Sequence, residues 1–129
     1  MGILGDLSAG EIVEQVVHVI YHIAAHDEKI AQQLARGDKL VRNTVFMGMG
    51  EPLNNYGSVC SAVKLLTDRQ TFAMRRNHVT VSTVGIVPRM RSFADDLPGV
   101  SLALSMHAPT QEGRVRVPLS TLLYGDTGY

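Results

Sequence analysis

The sequence predicts an α/β domain built on a parallel sheet. Two observations carry that expectation. Amphipathic helical patterns alternate with short β-rich runs in the order α-β-α-β-α-β, and each of the three β-rich runs stops at a cluster of small or polar residues. Strands that alternate with helices are joined by right-handed crossovers, which leaves the strands parallel. The composition agrees: 129 residues, 45% hydrophobic and 19% charged, with a net charge of +0, describe one globular domain or a piece of a larger one.

The first helix is signalled at Leu7-Ser8-Ala9-Gly10-Glu11-Ile12. The Ser8 hydroxyl can accept from the Glu11 N–H while the Glu11 carboxylate reaches back, a capping box, with Leu7 and Ile12 placed as a hydrophobic staple. Ile12, Val13, Val16, Val17, Ile20 and Ile23 then recur at helical spacing, which predicts a helix over 9–25. Residues 27–39 are charged and Gln-rich and read as an exposed helical extension or a loop. Asn43 to Met47 is a β-rich run that ends at Gly48-Met49-Gly50-Glu51-Pro52. Residues 57–67 repeat a helical pattern with Val59, Ala62, Val63 and Leu66 inward. His78 to Thr83 is a second strand, ending at Gly85. Pro88 suits a first helical turn, and that helix runs to about Leu97, closed by Pro98-Gly99. Val100 to Ser105 is a third strand, ending at His107-Ala108-Pro109. Pro118 to Tyr129 has no clear period.

Several function classes drop out. One cysteine, Cys60, excludes an internal disulfide and a self-contained Cys-ligated metal site. The apolar stretches fall short of the ~18 residues of a membrane span. The first residues lack the basic and apolar regions of a targeting signal, and Asp6 stands where a myristoylation start wants Ser or Thr.

Candidate chemistry lies at the strand ends. In parallel α/β folds, ligands bind at the C-terminal strand edge, and Gly48 to Pro52, Ser82 to Gly85 and Ser105 to Pro109 all fall there. Glu51 offers a carboxylate or its backbone to a cation such as an ammonium group, or is a helix-terminus charge. Ser82 and Ser105 can bond ribose hydroxyls or a carboxylate. His107 reads as a hydrogen-bonded loop histidine before a general base. Leu53 stands where a dinucleotide-binding Gly-x-Gly-x-x-Gly would need glycine. Cys60 lies mid-helix and reads as a small core residue. His18, His22 and His26 share a helix face and read as a polar stripe or as metal ligands short of a full set. Residues 64–91 carry six basic residues against Asp68, a strip that can contact phosphates or is a solvated face.

Three runs make the match specific: Val45 to Leu53, Val79 to Pro88, and Leu102 to Pro109. They resemble the radical S-adenosylmethionine RNA methyltransferases, and within them the branch that methylates carbon 2 of an adenine in ribosomal and transfer RNA. Leu7 to Val16 is similar to the helix that follows the family's cluster loop. The resemblance covers residues 1–118, leaving 119–129 as a divergent tail. It implies a partial parallel (β/α) barrel of the radical S-adenosylmethionine type, truncated to about three strands. S-adenosylmethionine and a 4Fe–4S cluster are the implied cofactors. The implied partners are ribosomal and/or transfer RNA and an electron donor for the cluster, with no membrane. The implied location is the cytoplasm, or an organelle if the source is eukaryotic. Gly50 and Glu51 match the positions that bind the cofactor's methionyl end, Ser82 matches a strand-end serine, and Ser105-Met106-His107 matches the family's Ser-Leu-His loop with Met for Leu. They carry over as cofactor-binding positions; no catalytic residue and no metal ligand carries over.

The departures are equally specific. The family's Cys-x-x-x-Cys-x-x-Cys loop and its methyl-carrying cysteine are absent from the sequence, and Cys60 matches neither. The chain is expected to be an internal fragment or a truncated gene model, inactive alone. A non-radical nucleotide-binding α/β module and a non-catalytic interaction fragment are the alternatives, separated by iron-independent nucleotide binding and by no ligand binding.

Overall fold

A computed structural model describes residues 5–106 together with 108, 110 and 112. Helix α1 (Ala9–His26) begins at the predicted capping box. Ser8 Oγ accepts from the Glu11 N–H at 3.3 Å, and Glu11 Oε2 accepts from the Ser8 N–H at 2.8 Å. The Ser8 N–H, and after it the Ser8 hydroxyl donating to Oε2 at 2.7 Å, hold the exposed Glu11 carboxyl below its usual range. Asp27, in an extended conformation, ends α1 and caps α2 (Glu28–Ala35) by accepting from the Lys29 and Ile30 N–H groups. The segment expected as an extension or loop is therefore a separate short helix. The break is local chemistry: a carboxylate at an N-cap competes with helix continuation. Gly37, at φ +82°, supplies the left-handed residue that turns the chain after α2.

Strand β1 (Thr44–Phe46) leads through the Gly48–Leu53 loop into α3 (Tyr56–Thr67). The four residues expected inward on α3, Val59, Ala62, Val63 and Leu66, are all buried, as is Cys60. A 3-10 turn (Arg76–His78) precedes β2 (Val79–Thr83). Helix α4 (Val87–Asp96) carries Pro88 in its first turn and is followed by β3 (Ser101–Leu104). The three strands form one parallel sheet in the order β1-β2-β3. Val45 pairs with Thr80, and Ser82 pairs with Ala103.

Alternation sorts the two sheet faces. Val79 and Val81 are fully buried and join Leu53, Val63, Leu66, Phe93 and Leu97 in one core, with Phe46 and Leu102 packed against it. The opposite face carries Val45, Thr80, Ser82, Ser101 and Ala103 by register. That face is small and polar beside the apolar core face. Helix α1 has no buried residue; Ile12, Val13 and Val16 pack on the rim of the core. Asn55 Nδ2 ties its start to α3 by donating to the Leu7 carbonyl at 2.6 Å.

Candidate functional site at the strand ends

The parallel register places the three strand-end clusters along one edge. After β1 the chain enters Gly48-Met49-Gly50 with Gly50 at φ +86°, a left-handed conformation that L side chains avoid. A Cβ at Gly50 would meet nothing within 4 Å, so the backbone angle, not crowding, requires glycine there, and open space remains beside the loop. Met49 is wholly exposed next to it.

This turn carries Glu51 inward. Its side chain is 6% exposed, and both carboxylate oxygens are used. The Leu53 N–H donates to Oε1 at 2.9 Å, and the Val84 N–H, at the end of β2, donates to Oε2 at 2.8 Å. Hydrogen bonds to a charged acceptor contribute about 1.5–3 kcal/mol each, which offsets part of the cost of burying the carboxylate.

The end of β2 is laced to β3 in the same way. The Ser82 and Ser105 hydroxyls are 2.8 Å apart and share one hydrogen bond. The Ser105 N–H donates to the Thr83 carbonyl at 2.7 Å. Thr83 Oγ1, fully buried, accepts from the Gly85 N–H at 3.1 Å. Of the six sequence-expected site residues, the structure brings Gly50, Glu51, Ser82 and Ser105 to one edge. Met106 is exposed beside them. His107 lies outside the described residues, as does the tail 119–129. Sequence reasoning missed Thr83 and the Val84 N–H. Thr-x-Gly at a strand end is a hydroxyl-turn signature that marks the first; nothing local marks the second, because its partner is 33 residues away.

The other candidates fall elsewhere. Cys60 is buried in α3 on the helical side of the sheet, and burial pushes its thiol above the usual range. Its neighbour Tyr56 donates to Asp96 Oδ2 at 2.6 Å, with the Arg89 guanidinium 5.1 Å above the Tyr56 ring. Desolvation first, then the bond to Asp96, raises the Tyr56 phenol. On α1, His18 lies 3.5 Å from Glu14, and the His22 and His26 rings sit 4.5 Å apart in solvent. Among the described residues, no group of three or more potential ligands is placed to hold a metal ion, and no helix is long and apolar enough to cross a membrane. The six basic residues of 64–91 are exposed. Arg76 Nη1 donates to the Pro98 carbonyl at 3.0 Å.

The fold is shared by a solved relative. The crystal structure of a radical SAM methyltransferase from Sphaerobacter thermophilus matches 95% of this chain and 31% of its own, with a TM-score of 0.68 and 32% sequence identity. Curated relatives narrow the class. A probable dual-specificity RNA methyltransferase RlmN from Nocardioides sp. is 48% identical over 128 residues, covering 93% of this chain. The Enterococcus faecalis protein of the same name is 42% identical over 113 residues. No family profile matches the chain. The chain is thus homologous to a segment of RlmN-type methyltransferases. It spans about three tenths of their length: 31% of the Nocardioides protein and 29% of the Enterococcus one.

Proposed function

We infer that this chain forms part of the cofactor-binding core of a radical S-adenosylmethionine enzyme that methylates carbon 2 of adenine in ribosomal RNA, transfer RNA or both. The observation that carries the reading is the strand-end edge. Three neighbouring parallel strands bring Gly50, Glu51, Ser82 and Ser105 together, within reach of one ligand, in a chain similar to RlmN-type proteins throughout that region. Residues 1–118 are the partial core of a (β/α) barrel, with 119–129 a divergent tail, and the location is the cytoplasm.

The edge fits S-adenosylmethionine. Open space lies beside Gly48 and Gly50, and the serine hydroxyls can reorient from each other toward a ribose or carboxylate. The Gly50-Glu51 segment faces the methionyl end, and Ser82 with Ser105 and Met106 faces the remainder. The bound cofactor supplies the methyl group. A 4Fe–4S cluster does not fit this chain: the single thiol is buried on the far side of the sheet. Its ligands, like the electron donor's docking site, belong to other parts of the complete enzyme.

The test is nucleoside mass spectrometry on ribosomal and transfer RNA treated anaerobically with the complete reconstituted enzyme. 2-Methyladenosine is the expected product, and the 129-residue chain alone yields none. Methylation at another atom, or product from the chain alone, overturns the reading.

A further inference from the structure

The Glu51 carboxyl group is held inside the protein by backbone amides. Only 6% of the residue is exposed, and its two oxygens are taken by two backbone N–H groups, one in its own loop and one at the end of the next strand. The bond to Val84 crosses between loops that no β-ladder connects, since the β1–β2 register ends at Phe46 and Val81. Beyond those residues, the Glu51 carboxylate joins the two loops. The loop that holds it turns through Gly50 at φ +86°, a conformation that glycine adopts without strain.

We propose that Glu51 is a positioning residue: its carboxylate latches the β1-end loop to the β2-end loop through the Leu53 and Val84 amides, and so sets Gly50 and Ser82 in place before a ligand arrives. This rests on the cofactor reading above and changes what the side chain does in it. The carboxylate acts on the ligand through the backbone it fixes, rather than by gripping an ammonium group. The chemistry of the latch is specific to a carboxylate. Two amide donors need two acceptor oxygens about 2.2 Å apart, and a glutamine offers one oxygen and one NH₂ donor. Glu51→Gln therefore keeps one bond and turns a donor toward the other N–H, while Glu51→Ala leaves both amides without a partner.

Hydrogen exchange reads the latch directly in the ligand-free 129-residue chain. The Leu53 and Val84 amides are expected to be protected in the wild type. In Glu51→Ala they should exchange roughly 10- to 150-fold faster, the range of a lost charge-assisted bond. Should the alanine variant not fold, Glu51→Gln carries the test, with one of the two amides accelerated. Unchanged Val84 exchange in a folded variant overturns the proposal. A second measurement separates latch from grip: calorimetric titration of the complete enzyme with S-adenosylmethionine and with 5′-methylthioadenosine, which lacks the methionyl ammonium and carboxylate. A latch weakens both in Glu51→Ala, because Ser82, which faces the part that the two compounds share, loses its placement together with Gly50. A loss confined to S-adenosylmethionine means a direct grip and overturns the proposal. If the wild-type enzyme binds neither compound, the cofactor reading fails, and Val84 exchange alone decides the latch.

Discussion

Removing the Phe93 ring tests how the sheet is held to its helical layer. Phe93 is the single buried residue of α4 and is 1% exposed. It packs in the same core as Val79, Val81 and Leu97, so it carries the attachment of α4 to the sheet. Truncating a buried Phe to Ala costs about 3–5 kcal/mol from lost transfer energy plus the cavity. A domain of about 100 residues has about 5–15 kcal/mol in total, so Phe93→Ala removes about a fifth or more. The melting midpoint should fall by about 12–40 °C at about 4–8 °C per kcal/mol. Phe93→Leu, which refills most of the volume, should cost less than about 1.5 kcal/mol. Tyr21→Ala on α1, where the side chain is 66% exposed, should stay within about 0.5 kcal/mol. Urea unfolding followed by far-UV circular dichroism measures all three. A Phe93→Ala variant within about 1 kcal/mol of wild type refutes the reasoning, and means that α4 is held by its surface bonds to Tyr56.

Four further outcomes are expected. Ser8→Ala should lower stability by about 1 kcal/mol through loss of the N-cap, read as a shifted denaturation midpoint with unchanged slope; an unshifted midpoint would show α1 frayed at its start. Because the Glu11 carboxyl titrates lower in the folded chain, its contribution is present above the usual carboxylate range and lost as pH falls through the lowered value, so acid denaturation of Glu11→Gln should begin from a less stable state and show a shallower pH dependence. Cys60 is buried with its thiol pushed up by desolvation; stability tied to the neutral thiol is present below the usual thiol range and lost as pH climbs past it, and a disulfide reagent should modify Cys60 at neutral pH only as fast as the chain opens, whereas rapid labelling of the native chain would contradict that burial. The 129-residue chain should self-associate through the outer edges of β1 and β3, which pair with nothing among the described residues; a monodisperse monomer across a concentration series by light scattering would count against this.

The sequence by itself determined the local elements and their order. The capping box at Ser8 and Glu11, the inward stripe Val59, Ala62, Val63 and Leu66, the proline opening α4 and the three β-rich runs all emerge within a residue or two of where periodicity and cap chemistry set them, because each depends on neighbours no more than a few residues apart. The break between α1 and α2 was also written locally, in Asp27, but an apolar-period reading passes over a cap that interrupts polar residues. Burial along α1 was not legible. Its stripe is as apolar as that of α3, yet none of its residues is buried, because α1 packs beside α3 and touches the core only through the partly buried Ile12, Val13 and Val16. The site divides along the same line. Glycine, carboxylate and serine at strand ends are visible in one dimension, and parallel alternation places them on one edge. What the Glu51 carboxylate touches is not, since its partner is a backbone N–H 33 residues away that any residue type except proline would provide. Side-chain identity announces a bond only when both partners are distinctive; here one partner is generic, and only the register of β1 against β2 brings it within 2.8 Å.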